Sequence, residues 1–178
     1  MYKDLISKVY TNAVNHGWHE DVKTVNHIRM MIITEVAEAV EAHRCDRYAN
    51  IDAGFMLKMK NSTDEEKMHL YKECIKDTLE DEFADIYIRL LDLAGCQKQA
   101  VTEKAVLRYK GAVRLPKVFT ERAFEAVRKI MNLQCSISEI IGYIERWAEM
   151  ENVELLRHIE IKMAINELRP YKHGRKKY

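Results

Sequence analysis

The chain has 178 residues, 47% of them hydrophobic and 32% charged, with a formal net charge of +1. That length suits one domain with a sizeable core, and near-neutrality excludes a protein held to nucleic acid or anionic membrane by bulk charge. Only 6 glycines and 2 prolines interrupt it, so long helices with short breaks, an all-α fold, are expected. Cys45, Cys74, Cys96 and Cys135 are widely spaced without a CxxC pair, which reads as free thiols in a reducing cytoplasm. No segment approaches the roughly 18 apolar residues of a membrane span.

The first predicted helix covers 2–15, with an apolar stripe of Leu5, Ile6, Val9 and Val14 and a stop at His16-Gly17. Trp18 to Asp21 then reads as an exposed connector. A second helix is expected over 25–44, where Ile28, Ile32, Val36 and Ala39 form a broad apolar face. Residues 45–61 look irregular. A third helix is predicted to begin near Thr63, after an N-cap pattern, and to run with a kink or break to Leu93, with Gly95 as terminator. A short helix within 97–118, two more at 120–132 and 137–150, and a last one over 153–168 complete the chain; Pro170 stops it by disfavouring helical geometry at Arg169.

Two of these helices carry paired carboxylates three residues apart: Glu35 and Glu38 in IITEVAEAVEAH, Glu82 and Asp85 in LEDEFADIYIRLLDLAG. That spacing puts both side chains of a pair on one helix face. Four carboxylates from two helices make an oxygen-rich site suited to magnesium, which leaves coordination positions for substrate phosphates. Glu41 points away toward solvent. On the last helix His158, Lys162, Asn166 and Arg169 share a stripe, complementary to a metal-bound polyphosphate.

The pattern Glu35-x-x-Glu38 followed by Glu82-x-x-Asp85 resembles the MazG-like and dimeric dUTPase superfamily of all-α nucleoside triphosphate pyrophosphohydrolases. Lys162 to Asn166, followed by Arg169-Pro170-Tyr171-Lys172-His173-Gly174, is similar to the closing motif of one MazG-like branch. The resemblance implies magnesium-dependent hydrolysis of a nucleoside triphosphate at the α-phosphorus, giving monophosphate and pyrophosphate, by a helical homo-oligomer acting in nucleotide-pool house-cleaning. It implies Glu35, Glu38, Glu82 and Asp85 as catalytic magnesium ligands, one of them orienting the attacking water. Lys162, Asn166 and Arg169 would hold phosphates with help from Lys172, and Trp18 would border the base. Residues 96–152 depart from the family pattern as a helical insertion within one domain.

Three blander or rival readings stand beside it. The Lys162 stripe serves equally as a wet face neutralising a helix C-terminus, and His173, Arg175, Lys176 and Lys177 read as a flexible tail. A di-iron bundle would use Glu66-x-x-His69, but the second Glu-x-x-His element is missing. A non-catalytic nucleotide-binding or helical interaction module is the third.

Overall fold

The computed structural model describes residues 1–21 and 23–175, and among these every regular element is a helix. In chain order they are α1 (Tyr2–Asn15), α2 (Val25–Arg44), α3 (Phe55–Asn61), α4 (Asp64–Cys74), α5 (Leu79–Cys96), α6 (Glu103–Ala112), α7 (Phe119–Met131), α8 (Ile137–Met150), α9 (Leu155–Leu168) and α10 (Lys172–Arg175). No described helix is long and apolar enough to cross a membrane.

The bundle is organised around α5. Its Leu79, Phe83, Ile86, Leu90 and Leu93 recur every three or four residues and are fully buried, the pattern of a helix whose stability comes from packing its apolar face. The helices α1, α2, α8 and α9 pack around it. A second, smaller core of Phe55, Met59, Tyr71, Ile75, Ile161 and Ile165 joins α3 and α4 to α9.

Two sequence expectations change, and the break expected between Thr63 and Leu93 is located. Residues 55–61 form a helix rather than irregular chain, because Phe55 and Met59, one turn apart, find buried partners in the smaller core. The stretch from Thr63 to Leu93 is two helices: Asp77 takes a left-handed φ of 61°, which Asp tolerates better than most residues. Thr78 then restarts the chain by accepting the Asp81 N–H at its hydroxyl. Gly95 does not end α5, which continues to Cys96. A Cβ there would lie 2.7 Å from the Tyr10 Cβ, so Gly95 serves the close approach of α1.

Residues 96–152 form α6, α7 and α8, and their Val106, Phe119, Ile130, Ile141 and Trp147 belong to the same core as α2 and α5. The Trp147 ring meets Phe83 edge-on at 4.8 Å. Buried Arg29 on α2 donates to the Ile130 and Asn132 carbonyls, at 2.6 and 3.0 Å, closing the open end of α7.

At the other end of the chain, Lys172 N–H donates to the His16 carbonyl, and Tyr171 reaches the Glu20 carboxylate. His173, expected in a flexible tail, is half-buried and meets the Trp18 ring edge-on at 5.1 Å. Lys176 and Lys177 lie outside the described residues, as does the Arg175 side chain.

Candidate metal and phosphate site

The buried faces of α2 and α5 pack together, so the polar residues at the edge of each face meet in a cavity of about 450 Å³. Glu35 on α2 and Glu82 on α5 are buried, Glu38 is exposed, and one oxygen from each lies within 4.8 Å of the other two. A like-charged pair at that separation repels by roughly 3 kcal/mol even at an effective dielectric of about 20. Three ionised carboxylates therefore need a compensating cation.

The surroundings supply it only in part. Burial, then the nearby charges of Asp85 and Asp81, pushes the Glu82 carboxyl up to about 9, and Glu82 Oε2 is buried with no hydrogen-bond partner among the described residues. Burial pushes Glu35 up to about 7 although Arg89 Nε donates to its Oε1 at 2.5 Å. An orphaned buried carboxylate oxygen beside two further carboxylates is a donor set that fits a hard divalent cation.

Asp85 faces the same cavity but is held from behind. Lys162, on α9 and only 3% exposed, places its Nζ 2.6 Å from Asp85 Oδ2 and 2.8 Å from Asp81 Oδ1. It also donates to the Tyr71 hydroxyl at 2.7 Å. Tyr71 in turn donates to Asp81 Oδ2 at 2.7 Å, where the Asp77 N–H also arrives. Burial alone would drive Lys162 toward neutrality, but Asp85 and Asp81 outweigh it and hold the ammonium charged.

The remaining walls differ in character along the cavity. Val9, Ala13, Ile28, Met31 and Ile88 make an apolar side, with Asn12 among them. Trp18 and His19 line it too, half-buried rather than exposed; the His19 ring is paired with Asp92 at 2.8 Å. Lys23 lies over the Trp18 ring at 5.3 Å.

The expected site residues thus fall into distinct places. Glu35, Glu38 and Glu82 converge, and Asp85, Lys162, Asn166, Arg169 and Trp18 line the same cavity. Asn166 Oδ1 is buried without a hydrogen-bond partner among the described residues, and Arg169 lies beside the Tyr71 ring, 5.9 Å from its centroid. Lys172 does not line the cavity; its ammonium lies 3.4 Å from Glu20 and 3.7 Å from Asp21. His158 is buried on the same helix outside it, and burial pulls its pKa down to about 4, leaving a neutral ring.

Sequence reasoning missed Asp81 and Tyr71, the contact of Arg89 with Glu35 and the pairing of His19 with Asp92. Asp81 had a signal, as the third residue after the N-cap Thr78; Tyr71 had none, since α4 reaches the site only through the smaller core. Glu66 is spent in a capping box with Thr63, and His69 is exposed; neither lines the cavity. No residue of 96–152 lines it either. Comparison of the chain with protein-family models, curated proteins and solved structures finds no match to any of them.

Proposed function

We propose that this protein is a magnesium-dependent nucleoside triphosphate pyrophosphohydrolase. The observation that carries the reading is the convergence of Glu35, Glu38 and Glu82 at one side of a cavity that also offers cationic and apolar walls. Those three groups and the free oxygen of Asp85 would hold the cation, which supplies positive charge against phosphate oxygens and leaves positions for them to occupy.

The chain's own residues do the rest. Asn166 on α9 and Arg169 just past its end line the cavity, where an amide donor and a guanidinium can hold the oxygens of the leaving pyrophosphate. The apolar side between α1 and α2, with Trp18 at its margin, is the wall for the nucleoside. A carboxylate of the cluster accepts the proton of the attacking water as its oxygen bonds the α-phosphorus. The bond to the bridging oxygen then breaks and releases pyrophosphate. A homo-oligomeric, cytoplasmic enzyme clearing unwanted triphosphates completes the reading.

The test is release of pyrophosphate against orthophosphate from a panel of canonical and modified nucleoside triphosphates, with and without magnesium, with Glu38→Gln as control. Magnesium-dependent pyrophosphate release, lost in the variant, is the expected result. Nucleotide binding without release would make the protein a binding module instead.

A further inference from the structure

Lys162 has three N–H donors and three partners. An ammonium can donate no more than three hydrogen bonds; here it donates to Tyr71 Oη at 2.7 Å and Asp81 Oδ1 at 2.8 Å, and it is ion-paired with Asp85 Oδ2 at 2.6 Å. The group is 3% exposed. Asp81 is equally committed: one oxygen takes Lys162, the other takes the Tyr71 hydroxyl and the Asp77 N–H. Tyr71, Asp81 and Lys162 therefore form a closed ring of hydrogen bonds, from which Lys162 reaches outward to the Asp85 carboxylate.

We infer that Tyr71, Asp81 and Lys162 are positioning residues for Asp85, fixing Oδ2 from behind so that Oδ1 is presented to the cation, and that Lys162 holds no phosphate. The inference rests on the metal-site reading above and deepens it. A carboxylate that ligates a metal is usually held by hydrogen bonds on its other side, and such partners set metal affinity without touching the ion. The ring also explains a third buried carboxylate, beside Glu35 and Glu82, in an already acidic cavity: Asp81 orients the ammonium, and its two oxygens are spoken for. The phosphate-facing cation at the end of α9 is then Arg169, which lines the cavity and whose guanidinium, among the described residues, makes hydrogen bonds of only 3.4 Å to His173 Nδ1 and 3.5 Å to the Tyr71 hydroxyl.

The closing experiment titrates manganese, as a paramagnetic stand-in for magnesium, into the full chain without nucleotide and counts free ion by electron paramagnetic resonance. Wild type is compared with Tyr71→Phe, Asp81→Asn and Arg169→Gln, each checked for helical content. Tyr71→Phe and Asp81→Asn keep side-chain size and should weaken manganese binding on the order of 10- to 100-fold, while Arg169→Gln leaves it unchanged. With nucleoside triphosphate at saturating metal, Arg169→Gln should raise KM, whereas the other two recover much of their activity as metal is added. Wild-type manganese affinity in folded Tyr71→Phe and Asp81→Asn overturns the inference and leaves the metal site standing. Failure of wild type to bind manganese removes the metal site and the inference with it.

Discussion

Glu35, Glu38, Glu82 and Asp85 look alike in sequence and are unlike in the fold. Glu82 and Glu35 are buried and their carboxyls are pushed up to about 9 and about 7, chiefly by lost hydration, whereas Glu38 remains exposed. The two kinds of residue predict different consequences of neutralisation. Glu38→Gln and Asp85→Asn should each cost more than about 100-fold in turnover, beyond what a residue behind a ligand commands, with helical content unchanged by circular dichroism. Glu82→Gln should also abolish turnover, yet stabilise the metal-free protein at pH 8. Folding there obliges Glu82 to take up a proton, at about 1.4 kcal/mol for each pH unit by which the solution lies above the ordinary value of 4.5. Denaturant melts of the metal-free variant and wild type at pH 8 decide it; a less stable variant would mean that Glu82 is ionised and satisfied in the fold.

At the scale of elements, α5 presents a different residue class to each neighbour. Its apolar stripe meets α2 and α8, its acidic stripe faces the cavity, and Gly95 lets α1 close against its last turn. Gly95→Ala places a methyl 2.7 Å from the Tyr10 Cβ, an atom too near the backbone to swing aside. The variant should lose about 1 to 3 kcal/mol of stability as α1 and α5 separate, and, because Val9 and Asn12 of α1 line the cavity, nucleotide KM should rise with it. Gly142→Ala sets a Cβ 2.9 Å from the Val106 carbonyl oxygen, between α6 and α8. A comparable stability loss with unaltered manganese affinity is expected there, since no residue of α6 or α8 lines the cavity.

The whole molecule carries the charge imbalance of the site as a pH dependence. The folded pKa values of Glu82 and Glu35 lie above the ordinary value of 4.5, so between these limits the folded state binds more protons than the unfolded one, and stability must fall as pH rises. Metal-free protein should therefore lose Tm steadily from pH 5 to pH 9, with the Glu35 contribution ending near pH 7 and that of Glu82 near pH 9. Magnesium, by replacing the missing protons, should restore most of the loss at the alkaline end and little at pH 5. Thermal melts across that range with and without the ion check this; a Tm that rises with pH in the metal-free protein would contradict the burial of the two acids.

Most of the helices could be read from the chain because their determinants are local: periodic apolar residues over 2–15, 25–44 and 137–150, and a proline after 168. The carboxylate pairs were legible for the same reason, since a three-residue spacing puts two side chains on one face whatever the helix packs against. What lies across the bundle was not legible. Only packing of α1 decides that Gly95 is an approach point rather than a stop, and only the smaller core brings Tyr71 beside Asp81 and Lys162. The Trp18–His19 connector becomes a cavity wall through contacts with α5 and the chain end. The sequence by itself determined which residues are acidic, cationic or apolar and on which helix face they stand. The tertiary structure alone decided which of them lose their water and which donors are already taken, because desolvation and hydrogen-bond saturation depend on partners 50 to 100 residues away, such as Glu35 with Arg89 (54 apart) and Tyr71 with Lys162 (91 apart).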